Sequence, residues 1–131
     1  MSLGILFPHS VSFDVSVPLA QLDAFVKKVE KRIAALNAGL VIHVLGHLGD
    51  GNLHYSIVSA SDISDALLSR IKPAVLDGLK DISGSFSAEH GIGTEKRDAL
   101  QKYGDAGKLK LNRMIKQLFD PNNICNPGKV L

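Results

Sequence analysis

The chain has 131 residues, 45% of them hydrophobic, enough for one domain with a buried core but short for an enzyme that must also enclose a large cofactor. Its net charge of +2 is spread along the sequence and aromatics make up only 5%, which argues against a nucleic-acid surface or a stacking platform for bases. A single cysteine, Cys125, cannot close an internal disulfide, and no apolar run reaches the ~18–20 residues of a spanning helix, so the expectation is a soluble protein of the cytoplasm or, in a eukaryote, the mitochondrial matrix.

Ser12 to Pro18 alternates apolar and polar residues and is rich in β-branched types, as a half-buried strand would be. From Pro18 the period changes. Leu19, Leu22, Phe25, Val26, Val29, Ile33 and Leu36 recur three or four apart, which predicts a helix closed by Asn37-Ala38-Gly39. Val41 to Leu45 and Leu53 to Val58 read as the two arms of a hairpin. Ser61-Asp62 can cap a second helix that carries Leu67, Leu68, Ile71, Val75, Leu79 and Ile82, with Pro73 kinking or restarting it and Gly84 ending it. A short fourth strand is predicted over 85–88. Thr94 and Asp105 read as N-caps of two terminal helices, the second ended by Asp120-Pro121 and followed by an extended tail. The order β-α-β-β-α-β plus helices is the ferredoxin-like pattern of an α+β protein. In the simplest such sheet the fourth strand ends away from the hairpin turn.

Chemistry concentrates in the hairpin. Asp50-Gly51 suits a two-residue type I′ turn, which would set Gly49 opposite Asn52, Leu48 opposite Leu53 and His47 opposite His54. Facing Cβ atoms lie ~4.5–5.5 Å apart, so the two imidazoles can converge on one cation, with Glu89 as the obvious third donor of a His₂Glu set. A lone strand histidine is more often an exposed or hydrogen-bonded residue than a ligand, and His9 and His43 are read that way. Asp50 and Asn52 can be simple turn residues, and Gly91-Ile92-Gly93 after His90 can be a ligand approach or a loop tip.

The run Gly46-His47-Leu48-Gly49-Asp50-Gly51-Asn52-Leu53-His54, the run Ser87-Ala88-Glu89-His90-Gly91-Ile92-Gly93, and Phe119-Asp120-Pro121 with Asn126-Pro127-Gly128-Lys129 together resemble the C-terminal domain of FAD-linked D-2-hydroxy acid dehydrogenases. That family, of the vanillyl-alcohol-oxidase type, includes D-lactate dehydrogenases, the glycolate oxidase flavin subunit and D-2-hydroxyglutarate dehydrogenase. The resemblance runs from about Phe13 to the end. It implies metal ligation by His47, His54 and Glu89, with zinc preferred over manganese or iron, and a catalytic base at His90. It places Asn126 near FAD, and Asn52 and Ser56 near the substrate. The partners implied are a 2-hydroxy acid, an FAD-binding domain in cis or in trans and an electron acceptor; a homodimer is compatible with it. Residues 1–131 then form the substrate and metal domain, without the family's N-terminal FAD-binding domain and inactive alone.

Two departures bear on the substrate. Members that oxidise D-2-hydroxyglutarate carry a lysine where this chain has Ser12 and an asparagine where it has Ser56, which points to a smaller acid or a different orientation. A rival reading stays open: a free-standing, non-catalytic ferredoxin-like module that binds a metal or a small acid.

Overall fold

The computed structural model describes residues 9–47 and 49–131, which form two compact units, one ending at Glu89 and the other running from His90 to Leu131. In the first unit β1 (Ser10–Ser16), α1 (Leu22–Ala34), β2 (Val41–His47), β3 (Asn52–Val58) and α2 (Asp65–Leu76) follow in that order. A 3₁₀ turn over Leu19–Gln21 leads into α1, and a second over Lys80–Ile82 follows α2. The strands form one antiparallel sheet in the order β1-β3-β2.

Strand alternation gives this sheet two unlike faces. On one face Val15, Leu53, Tyr55 and Ile57 are buried, and the helices contribute the buried Phe25, Val29 and Ile33 from α1 and Ile71, Ala74 and Val75 from α2. Phe25 meets Tyr55 edge-on, with ring centroids 6.3 Å apart. Arg32 of α1 donates to the carbonyl of Asp77 at 2.6 Å, satisfying an acceptor just past the C-terminal end of α2. The register puts Ser10, Ser12, Asp14 and Ser16 of β1, Asn52, His54, Ser56 and Val58 of β3, and Val41, His43, Leu45 and His47 of β2 on the opposite face. This second face is polar and carries every hairpin residue of chemical interest.

The α+β class and the β-α-β-β-α order follow the sequence expectation, while three local features differ. The predicted fourth strand is a single antiparallel bridge between Ser16 and Ser85. Beyond it the N–H groups of Ala88 and Glu89 donate to the Asp14 carboxylate at 2.9 and 2.8 Å, so a side chain takes donors that a ladder would have used. The first terminal helix, α3 (Arg97–Tyr103), has Lys96 and not Thr94 at its N-cap, after Gly91 and Gly93 have both turned through positive φ. The cap of α2 is Ser64, whose Oγ accepts from the N–H of Leu67 at 3.2 Å, and the helix runs through Pro73 to Leu76 as one element. Among the described residues, no helix is long and apolar enough to cross a membrane.

In the second unit α4 (Ala106–Phe119) is capped by Asp105, which accepts from the N–H of Lys108 at 2.8 Å. Asp120 then organises the tail. Its carboxylate accepts from Ile124 N–H at 2.8 Å and Cys125 N–H at 3.0 Å and pairs with Lys116. The N–H of Val130 donates to Gly93 at 2.9 Å, tying the tail to the glycine loop after His90.

Candidate metal centre

The hairpin turn is wider than a type I′ turn. His47 pairs with Asn52, Leu45 with His54 and Gly46 with Leu53, so the connection spans four residues, 48–51. Leu48, predicted opposite Leu53, lies outside the described residues. The N–H of Asp50 donates to the His47 carbonyl at 3.2 Å, and Asp50 Oδ1 accepts from Asn52 N–H at 3.2 Å, an Asx contact that displaces the two-residue turn. Of the Asp-Gly pair only Gly51 has positive φ, at 70°, and a Cβ there would stand 2.1 Å from the Val17 carbonyl oxygen. Gly46 is required for a different reason: a Cβ would stand 2.4 Å from the carbonyl oxygen of Asn52, so only glycine lets the arms approach where His47 leaves the sheet.

His47 and His54 are therefore diagonal neighbours instead of facing ones. The displacement is two residues, an even number, so both remain on the polar face; a slip of one would have turned them to opposite sides. Their rings lie 5.7 Å apart between centroids at an interplanar angle of 78°.

The third member arrives from outside the sheet. Asp14 is 1% exposed and opposite His54, and through the N–H groups of Ala88 and Glu89 it anchors the segment that crosses the polar face after the Ser85 bridge. Glu89 consequently lies with Oε1 3.6 Å from His47 Nε2 and Oε2 3.7 Å from His54 Nε2. One ligand atom from each of the three residues lies within 4.8 Å of the other two. This placement resolves the topological difficulty, because the chain leaves the ladder before a full fourth strand can carry Glu89 away.

The donor set fits a divalent cation. Two donors each ~2.1 Å from a tetrahedral ion stand ~3.4 Å apart, close to the separations here. Two imidazoles and a carboxylate leave a fourth position for a ligand, and the exposed His47 and Glu89 beside the half-buried His54 leave it accessible.

Asn52 Nδ2 donates to Glu89 Oε1 at 2.5 Å, orienting the carboxylate. Its Oδ1 is buried with no hydrogen-bond partner, and so is Ser56 Oγ, two residues along β3 on the same face. His90 opens the second unit and is exposed, directly after Glu89 in the chain. Asn126 lies in the Asp120-organised tail with φ of 53°.

Sequence reasoning missed Asp14. The available signal was a carboxylate in the middle of an otherwise apolar and hydroxyl-bearing strand, a position that costs free energy unless the charge is hydrogen-bonded. It also gave Asn52 no role toward Glu89, because a contact between residues 37 positions apart leaves no local signature.

The family model for FAD linked oxidases, C-terminal domain, matches residues 4–130. A probable mitochondrial D-2-hydroxyglutarate dehydrogenase of Oryza sativa subsp. indica is 40% identical over 119 residues, covering 91% of this chain and 21% of the relative. The D-2-hydroxyglutarate dehydrogenase of Stutzerimonas stutzeri (strain A1501) is 33% identical over 121 residues, covering 89% and 26%. The mitochondrial D-2-hydroxyglutarate dehydrogenase of Bos taurus is 39% identical over 119 residues, covering 91% and 21%. The chain thus spans about a fifth to a quarter of the length of these relatives, and with the family model matching nearly all of it, it belongs to the C-terminal domain family of the FAD-linked oxidases.

Proposed function

We propose that this chain is the substrate- and metal-binding domain of a flavin-dependent D-2-hydroxy acid dehydrogenase, working with an FAD-binding domain supplied in cis or in trans. The observation that carries the reading is the convergence of His47, His54 and Glu89 on the polar face of the sheet. A divalent ion bound there, zinc before manganese or iron, would supply a Lewis acid for the carboxylate and hydroxyl of the acid and lower the hydroxyl pKa. FAD would accept the hydride from the α-carbon.

The chain's own residues do the rest. Asn52 fixes one Glu89 oxygen and Asp14 fixes the backbone behind it, so these contacts orient the third ligand. The buried Oδ1 of Asn52 and Oγ of Ser56 face the same side and can each meet a polar group of the substrate. His90 receives the hydroxyl proton: consecutive side chains diverge, so Glu89 can address a cation while its neighbour addresses the hydroxyl. Asn126 belongs to the flavin side, on the tail tied to the loop after His90. The apolar Leu111, Met114, Ile115 and Leu118 exposed along α4 form a stripe of the kind a partner domain covers, and the flavin-bearing domain is the partner proposed.

The test is anaerobic mixing of the flavin-loaded full-length protein with D-2-hydroxy acids, followed by flavin absorbance. Bleaching that disappears after chelation and returns with zinc supports the reading. Bleaching that is indifferent to metal removal contradicts it.

A further inference from the structure

A cavity lies wholly within the unit that begins at His90. Its volume is about 530 Å³, and Thr94, Arg97, Asp98, Gln101, Arg113 and Leu131 line it. Arg97 and Gln101 stand one turn apart and so share a face of α3, while Arg113 comes from α4. Arg113 donates through Nη2 to Gln101 Oε1, which fixes one guanidinium and leaves the Gln101 amide N–H₂ as a further donor. The tail borders the other guanidinium. A Cβ at Gly128 would stand 3.9 Å from Arg97 Nη1, and the Val130 N–H holds the tail to the Gly93 carbonyl just before Thr94. Both arginines are exposed, so a ligand in solution reaches them.

We propose that this cavity binds a small phosphate monoester, its phosphoryl group held by Arg97 and Arg113 and its hydroxyl-bearing part placed at Asp98. The site uses none of the residues of the metal centre and goes beyond the reaction proposed for it. Donor count decides the class. Two guanidinium forks, the Thr94 hydroxyl and the Gln101 amide offer more N–H and O–H groups than the two oxygens of a carboxylate can take, whereas a phosphoryl group brings three acceptor oxygens and nearly two negative charges at neutral pH. Size argues against a bare ion. The cavity falls within the ~300–1,000 Å³ range of small-molecule sites, so the phosphate carries an organic part. Asp98 selects that part, because an ionised carboxylate only accepts: it repels a second anion and bonds hydroxyl groups, as a polyol phosphate presents them.

The experiment is calorimetric titration of the metal-stripped chain at about pH 8, where imidazoles are neutral and phosphate is a dianion. Removing metal prevents phosphate from binding through a cation. The probes are glycerol 3-phosphate, inorganic phosphate, acetate and glycerol. Glycerol 3-phosphate is expected to bind one per chain, more tightly than inorganic phosphate and at least about tenfold more tightly than acetate, with glycerol inert. Arg97→Gln and Arg113→Gln should each weaken it about tenfold or more, the effect of losing a hydrogen bond to a charged group. Lys108→Gln removes the same charge from α4 outside the lining and should leave the affinity unchanged. Asp98→Ala should raise the affinity for inorganic phosphate and erase the ester's advantage over it. Absence of saturable binding, acetate or inorganic phosphate bound as tightly as the ester, or an equal loss in Lys108→Gln and the two arginine variants would overturn the site.

Discussion

Asp14 sets where the third ligand stands, because its carboxylate holds the two backbone N–H groups at Ala88 and Glu89. Asp14→Ala removes the buried oxygen that accepts from both N–H groups and should weaken zinc binding ~10–100-fold, the usual cost of losing an outer partner of a metal ligand. Isothermal titration checks this, with the circular dichroism spectrum as the control for folding. The neighbours Glu89 and His90 should separate cleanly. Glu89→Gln removes a charged oxygen donor and should lower zinc affinity, whereas His90→Asn in the flavin-loaded full-length protein should keep its metal and lose ~10²–10⁴ in kcat. Loss of metal with retained turnover in His90→Asn would reverse the two assignments. Tyr55 is a structural counterpart on the other face: its hydroxyl is buried without a partner, and burial, with Glu30 nearby, pushes the phenol well above its usual range. Tyr55→Phe removes an unsatisfied donor from the core and should raise stability by ~1 kcal/mol in urea unfolding.

The helices and the first three strands were legible because hydrophobic period distinguishes them directly: α1 buries Phe25, Val29 and Ile33 at spacings of four, and β3 buries Leu53, Tyr55 and Ile57 at spacings of two. The hairpin was legible only to its parity. Asp50-Gly51 signals a turn, but the choice between a two-residue and a four-residue connection lies with the Asp50 side chain and the close passage of Gly46 over Asn52, which the dipeptide does not encode. His47 and His54 still share a face because the register differs by two. The fourth strand was over-read for a comparable reason, since alternation in 85–88 cannot show that Asp14 captures the donors of Ala88 and Glu89. The tail of the second unit belongs to this scale as well. Lys116, together with the N–H groups of Ile124 and Cys125, holds the Asp120 carboxyl below its ordinary 3.8. A carboxyl depressed in the folded state stabilises above the ordinary value, and that contribution is lost as pH falls through the lower folded value. Amide exchange at Ile124 and Cys125 should therefore accelerate in acid below about pH 4, and Asp120→Asn should show the fast exchange already at neutral pH.

At the scale of the molecule, one sheet separates two tasks: the helix-covered face supplies the buried core, and the opposite face presents imidazoles, an amide, hydroxyls and a carboxylate. Everything proposed for catalysis depends on the second face binding a cation, which makes zinc titration of the chelator-stripped chain the most direct measurement. One zinc per chain is expected in the wild type, with binding abolished in His47→Ala and His54→Ala and weakened in Glu89→Gln. Equal zinc affinity in the wild type and all three variants would contradict it.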